Sequence, residues 1–273
     1  MKTLIKTCKE LQIAGRWDID FHSPADGIRK FPIELIKRID QVADIGKDKR
    51  DPTKEPEAMF QYVDISAVDV AVGVITNPQD MEGLEAPSRA RKVVRAFDLL
   101  VSTCRPTRGA IAVVPVKLHN QIASTGFSIV RAHNDVNPFY LHFALRLPST
   151  LEQFRKWSTG SSYPAILDSD VQKTLIPVPP VAEQDSIAAS VVAALRERAK
   201  IIRVTNRNWS KNLNEITASL CGKQPDEAVE MVDDDLDAYS LTEVQAVLKE
   251  LPPLTTDKLN GYGNEECNLL LDL

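Results

Sequence analysis

Long apolar runs are missing from this sequence. None approaches the ~20 residues that a bilayer-spanning helix needs. The N-terminus, Met1-Lys-Thr-Leu-Ile-Lys6, lacks the apolar core of a secretory signal. Cysteine is scarce: Cys8, Cys104, Cys221 and Cys267 lie far apart with no CxxC pair, which excludes a disulfide scaffold. They read as reduced thiols in a cytoplasmic protein. Histidine is scarce too. His22, His119, His133 and His142 show neither HxxxH nor HExxH spacing, so no metal site is expected. The chain has no GxGxxG, no GxxxxGK(S/T) and no GxSxG, and hence none of the usual dinucleotide, phosphate or nucleophile-elbow loops. No repeat of 20–50 residues is visible, which argues against a solenoid. What remains is 43% hydrophobic and 26% charged, enough to bury a core in one or two domains.

The formal net charge of −5 conceals three unequal parts. Residues 1–88 carry 12 basic and 16 acidic side chains, net −4; residues 89–223 carry 19 and 9, net +10; residues 224–273 carry 2 and 13, net −11. A basic middle joined to an acidic tail points to an anionic partner for the middle.

Local patterns organise the chain as an α+β protein. Residues 1–57 form a leader of short helices to a larger domain, with helical patterns over 2–11 and 32–42 and a polar loop over 46–57. Residues 58–180 are the body of that domain. Strand patterns fall at 62–65, 68–75, 91–96, 99–102, 109–116 and 127–131, residues 138–146 fit either helix or strand, and 150–156 read as helix. Pro179-Pro180 then opens a stretch with no proline or glycine from Val181 to Cys221. Its apolar residues Ile187, Val191, Leu195, Ile202, Trp209, Leu213, Ile216 and Leu220 are spaced by 4, 4, 7, 7, 4, 3 and 4. That is one long amphipathic helix with coiled-coil character, and Arg198 and polar Asn206 stand at the skipped seam positions. Together these residues are a candidate partner-helix interface. Gly222 is a good C-terminal cap. Residues 222–273 form an acidic tail with one short helix, beginning at Ser240 with Glu243 at the capping-box position; the last 20 residues read as loose.

Four stretches stand out in order: Tyr62-Val-Asp-Ile-Ser66; Arg89-Ala-Arg-Lys92 with Asp98-Leu-Leu-Val-Ser-Thr-Cys-Arg-Pro106; Ala123-Ser-Thr-Gly-Phe127; and Thr159-Gly-Ser-Ser-Tyr-Pro-Ala-Ile166. The last leads into Ile176-Pro-Val-Pro-Pro-Val-Ala-Glu-Gln184 and the long helix. In this order, over about residues 17–220, they resemble the target recognition domain and spacer helix of type I restriction-modification specificity subunits. The resemblance implies a mixed α/β recognition domain that binds double-stranded DNA, no catalysis, and no cofactor bound by this chain. It also implies a separate DNA adenine methyltransferase subunit that uses S-adenosylmethionine, a restriction or translocase subunit as a further partner, and no membrane. Arg and Lys position a protein on phosphates, and Arg reads guanine edges. Small hydroxyl and glycine residues allow close approach to the duplex. The candidate DNA-binding residues are therefore Arg89, Arg91, Lys92, Arg105, Arg108, Ser124, Thr125, Gly126, Thr159, Ser161, Ser162 and Tyr163. Ordinary turns or surface ion pairs would account for any one of them alone. A typical subunit of this family carries two recognition domains and two spacer helices. This chain has one of each and resembles a half-subunit, which implies a homodimer through the long helix and a two-fold symmetric split site.

Two other readings stay open at this level. Asn137-Pro-Phe-Tyr140 resembles the Asn-Pro-Pro-Tyr loop of adenine-N6 methyltransferases, but Phe139 replaces the second proline and no glycine-rich cofactor loop precedes it. A methyltransferase fragment acting through Asn137 and Tyr140 is one alternative. A non-catalytic interaction protein whose acidic tail is the functional part is the other. Asp168, Asp170 and Lys173 are too loosely spaced for a nuclease motif.

Overall fold

The computed structural model describes residues 4–23, 25–160, 162–222 and 239–257. Helices α1 (Cys8–Ala14) and α2 (Ile19–His22) open the chain. Strands β1 (Ile36–Arg38), β2 (Ala43–Ile45), β3 (Met59–Val63), β4 (Val68–Asp69), β5 (Val74–Ile75), β6 (Gln79–Glu82), β7 (Ala90–Val93), β8 (Leu99–Ser102), β9 (Ile111–Val113), β10 (Ile122–Ser124) and β11 (Phe127–Ala132) follow. Helices α3 (Pro138–Leu145), α4 (Pro148–Trp157) and α5 (Asp168–Lys173) lead to β12 (Leu175–Pro177), the long α6 (Val181–Cys221) and α7 (Leu241–Glu250). No helix among the described residues is long and apolar enough to cross a membrane.

Two four-stranded sheets form the body, ordered β6-β3-β10-β7 and β2-β11-β8-β9. The period-2 alternation of β8 explains how they stack. Leu99 and Val101 face one core, shared with Tyr140, Leu141, Leu145 and Phe154 of α3 and α4. Leu100 faces the other, shared with Val63, Val94, Leu118, Ala123, Phe127 and Ile129 between the sheets. The second sheet is therefore buried on both faces, which is why all four residues of β8 are apolar or buried. β10 and β11 lie two residues apart yet belong to different sheets. A register shift between Ala123 and Ser124 marks the crossing.

The helix expected over 32–42 does not form. Ile33–Leu35 and Ile39–Gln41 are single 3-10 turns flanking β1. β1 pairs antiparallel with β12, Ile36 opposite Pro177 and Arg38 opposite Leu175. The backbone partner lies about 140 residues downstream, so tertiary pairing overrides the local pattern. With β2 in the second sheet, part of the leader is built into the core. The ambiguous segment 138–146 is helix. Asn137 caps it, accepting from the backbone N–H of Phe139 and Tyr140, and Pro138 holds the first helical position.

Helix α6 packs on the domain through its N-terminal turns, with Arg198 paired to Asp69 at 3.7 Å further along. Gln184, Ala188 and Val192 are buried, and Ile187 packs on the α3/α4 core. The Gln184 side chain accepts from Asn137 N–H at 2.9 Å and donates to the Pro179 carbonyl at 2.8 Å. Val191 and Leu195 are half-buried. Beyond them Ile202, Trp209, Leu213, Ile216 and Leu220 are exposed, Trp209 at 64% and Leu220 at 83%, and so is Asn206. The expected seam thus divides. Its first turns serve the helix's own domain, and the remainder projects as an apolar stripe.

Residues 239–257 form a strap across the domain. Ser240 and Glu243 make the expected capping box. Val244, Val247, Leu248 and Leu251 pack on Ala96, Phe97 and Phe139. Gln245 donates to the Asn134 carbonyl at 2.6 Å. The chain then continues past His119, whose ring nitrogen lies 2.8 Å from the Pro252 carbonyl, and Asn120, which exchanges two hydrogen bonds with Thr255. It ends with Asp257, whose N–H donates to the Lys49 carbonyl and whose carboxylate pairs with Lys54 at 3.0 Å. Residues 254–257 are accordingly held against the domain, contrary to the expectation that the last 20 residues are loose; residues 258–273 lie outside the described residues.

Candidate nucleic-acid interface

Three loops meet at one rim of the domain, and backbone hydrogen bonds fasten them. The first connects β8 to β9, the second is the β10–β11 crossing, and the third follows α4. Thr103 N–H and its hydroxyl both donate to the Gly126 carbonyl at 2.8 Å. Ile166 N–H donates to Thr103 and Arg105 N–H to Pro164, at 3.0 and 2.7 Å. Thr125 N–H donates to the Arg89 carbonyl at 2.8 Å, tying in the start of β7. Thr159 and Ala165 exchange a reciprocal pair that closes the third loop. Arg105 has left-handed backbone (φ 48°), which turns the first loop toward the third. Its guanidinium stacks 4.8 Å above the ring of Tyr163. Gly126 is closely covered: a Cβ there would stand 2.8 Å from Ile65 Cδ1, so the end of the Ile65 side chain would have to move.

Most of the residues expected from sequence therefore gather here, with two exceptions. Arg89, Arg108, Thr125, Thr159, Ser162 and Tyr163 are exposed, Tyr163 at 77%. Arg91 is half-buried beside Asp51 at 3.4 Å and donates to the Ala90 carbonyl. Ser161 lies outside the described residues. Lys92 does not belong to the exposed set. Its side chain is 14% exposed and its ammonium donates to the Phe127 carbonyl at 2.6 Å. Burial pulls its pKa down, opposed by Asp168. Ser124 is likewise fully buried, and its hydroxyl accepts from Gly126 N–H. Both residues hold the rim together from beneath. Thr103 has the same fastening role. It stands inside a stretch singled out by sequence, but its function depends on a partner 23 residues away.

Among the described residues the rim offers guanidinium, hydroxyl and aromatic groups. The Asn137 side chain is spent inside the fold: its Oδ1 caps α3 and its Nδ2 donates to Asp185 at 2.6 Å. Tyr140 donates to the Pro177 carbonyl at 2.7 Å, and burial raises its pKa to about 12. Neither group of the methyltransferase-like motif faces solvent. Asp170 caps the backbone of Leu167 and pairs with Lys173, which also lies 3.8 Å over the Trp157 ring. Among the described residues no cluster of His, Cys, Asp and Glu could hold a metal.

No protein-family model and no curated protein matches the chain. Solved structures do. A chain from a structure of a type I restriction-modification system, concerned with its complex assembly and conformational transition, is 39% identical. It aligns over 72% of this chain and 51% of that one, with a TM-score of 0.55. The HsdS subunit from Thermoanaerobacter tengcongensis is 38% identical over 72% of this chain and 50% of that one, with a TM-score of 0.53. The fold, one mixed α/β domain followed by one long helix, is shared with these chains over the aligned stretch. The chain is a homologue of the HsdS specificity subunits of type I restriction-modification systems, and it spans about half the length of the solved chains it matches.

Proposed function

We propose that this chain is a non-catalytic, sequence-specific DNA-binding subunit of a type I-like restriction-modification or related anti-phage defence system in the cytoplasm. It directs a separate adenine methyltransferase, which carries S-adenosylmethionine, and a restriction or translocase subunit docks on the same assembly. The rim of three fastened loops carries the reading: it presents Arg89, Arg105, Arg108, Thr125, Thr159, Ser162 and Tyr163 on one edge of a homologue of specificity subunits. Self-pairing through the long helix brings two recognition domains together. The exposed stripe from Ile202 to Leu220 buries against the same stripe of a second copy, antiparallel, and sets two rims at a fixed distance.

Two measurements test this. Duplex DNA binding by the full chain is expected to weaken steeply with salt, because several phosphates are neutralised; a flat response overturns it. Mapping of methylated adenines with and without the gene should show one split, two-fold symmetric motif lost in its absence. An unchanged methylation map overturns the assignment. For the pairing, Trp209→Asp with Leu213→Asp should convert a dimer to a monomer in light scattering, and a wild-type monomer overturns it.

A further inference from the structure

The strap and the long helix are connected in a way that one copy accommodates poorly. Tyr239, where the strap begins, receives the Asn137 Nδ2 hydrogen bond at its carbonyl, and Leu241 N–H donates to Asp185. The strap therefore starts at the base of α6. The helix ends at Gly222, 37 residues beyond Asp185, which is about 55 Å away at 1.5 Å per residue. The intervening residues 223–238 supply 17 Cα–Cα steps, and a polypeptide of that length reaches about 56–61 Å at full stretch. Docking on the same copy uses nearly the whole contour. The r.m.s. span of an unconstrained chain of that length is about 20–25 Å.

Antiparallel pairing of the exposed stripes changes the distance. With the stripe from Ile202 to Leu220 centred on itself, Gly222 of one copy lies opposite about residue 200 of the other. The partner's Asp185 is then about 22 Å along the axis and one helix spacing of about 10 Å to the side, some 25 Å in all. That matches the relaxed span. We propose that the strap, residues 239–257, is exchanged between two copies: each recognition domain carries the other chain's C-terminal strap on the surface formed by Phe97, Phe139, His119, Asn120 and Lys49. The inference rests on the helix pairing proposed above. The surface itself is built for the strap, since it supplies an aromatic cluster of Phe97 and Phe139 around Tyr239 and hydrogen-bond partners along its full length.

The test uses single-cysteine chains. In a background with Cys8, Cys104, Cys221 and Cys267 replaced by serine, one tagged chain carries Asn120→Cys and a co-expressed chain with a different tag carries Thr255→Cys. Asn120 and Thr255 side chains touch at 3.0 Å. Exchange predicts that mild oxidation gives a disulfide-linked heterodimer at twice the chain's 30.3 kDa. Light scattering on the same sample separates the two ideas. A dimer without cross-link overturns the exchange and leaves helix pairing standing; a monomer overturns both. A second variant avoids reliance on engineered cysteines. Deleting residues 228–233 cuts the reach to about 40 Å. Exchange predicts unchanged amide-exchange protection of Leu241–Glu250 in that variant. Loss of the protection in a chain that is still dimeric overturns it.

Discussion

Asn137 donates its Nδ2 to Asp185 at 2.6 Å, and the same Asp185 oxygen accepts the backbone N–H of Leu241 at 3.1 Å. One carboxylate thus joins the domain, the long helix and the strap. The direction in which α6 leaves the domain is set at this junction, together with Gln184.

Asn137→Ala removes the cap of α3 and one partner of Asp185. We expect a loss of about 1–3 kcal/mol in chemical denaturation, with weaker amide protection in Leu241–Glu250. A variant as stable as wild type would show that the junction contributes nothing.

Lys92 and Arg108 separate internal from external charge. Arg108→Ala should lower DNA affinity by about 1–3 kcal/mol if it reads a base, or reduce the salt slope by about one unit if it meets a phosphate. Lys92→Met removes the same formal charge from beneath the rim, so the salt slope should stay unchanged while stability falls. Anisotropy titrations at several salt concentrations distinguish them. A reduced slope for Lys92→Met would contradict the burial of Lys92.

His142 is buried, and desolvation lowers its pKa to about 4, with Arg146 adding to the effect. Its ring nitrogen meets the Ile111 carbonyl at 3.1 Å. The unfolded chain binds this proton near pH 6.5, so between about pH 6.5 and 4 the unfolded state holds more protons. The contribution is complete above that window and is lost as pH falls through it, by about 3 kcal/mol. His142→Gln should flatten this part of the stability profile relative to wild type, and identical profiles would refute the assignment.

Gly73 has φ of +72°, and a Cβ there would collide with the His142 ring, the Ile111 carbonyl and the Arg146 guanidinium. Gly73→Ala combines backbone strain with overpacking against main chain. A destabilisation of about 2–4 kcal/mol is expected in thermal or denaturant unfolding. DNA affinity at a temperature where the variant is folded should be unchanged.

The sequence showed clearly whatever its local signals encode. The proline-opened, glycine-capped α6 and the Ser240–Glu243 capping box are local devices, and both were legible. So was the gathering of the rim, because its four stretches occur in a recognisable order. Long-range partnerships were hidden. β1 pairs with β12, buried Asp98 accepts from Arg131 at 2.8 and 2.9 Å, and Lys92 reaches the Phe127 carbonyl. Nothing local reports such contacts, so Lys92 looked like an available cation and 32–42 looked like a helix. Ser124 misled for a related reason: the register shift beside it turns inward a side chain that a simple turn would expose.

The loops of the rim are tied by main-chain groups of Thr103, Arg105, Thr125, Gly126, Thr159 and Ala165. Main-chain ties do not depend on which side chain a residue carries. Exposed positions such as 108, 125, 159, 162 and 163 can therefore be rewritten while the loops stay where they are. If the rim reads DNA as proposed, a lineage of such proteins can acquire new target sites by point substitution, without passing through unfolded intermediates.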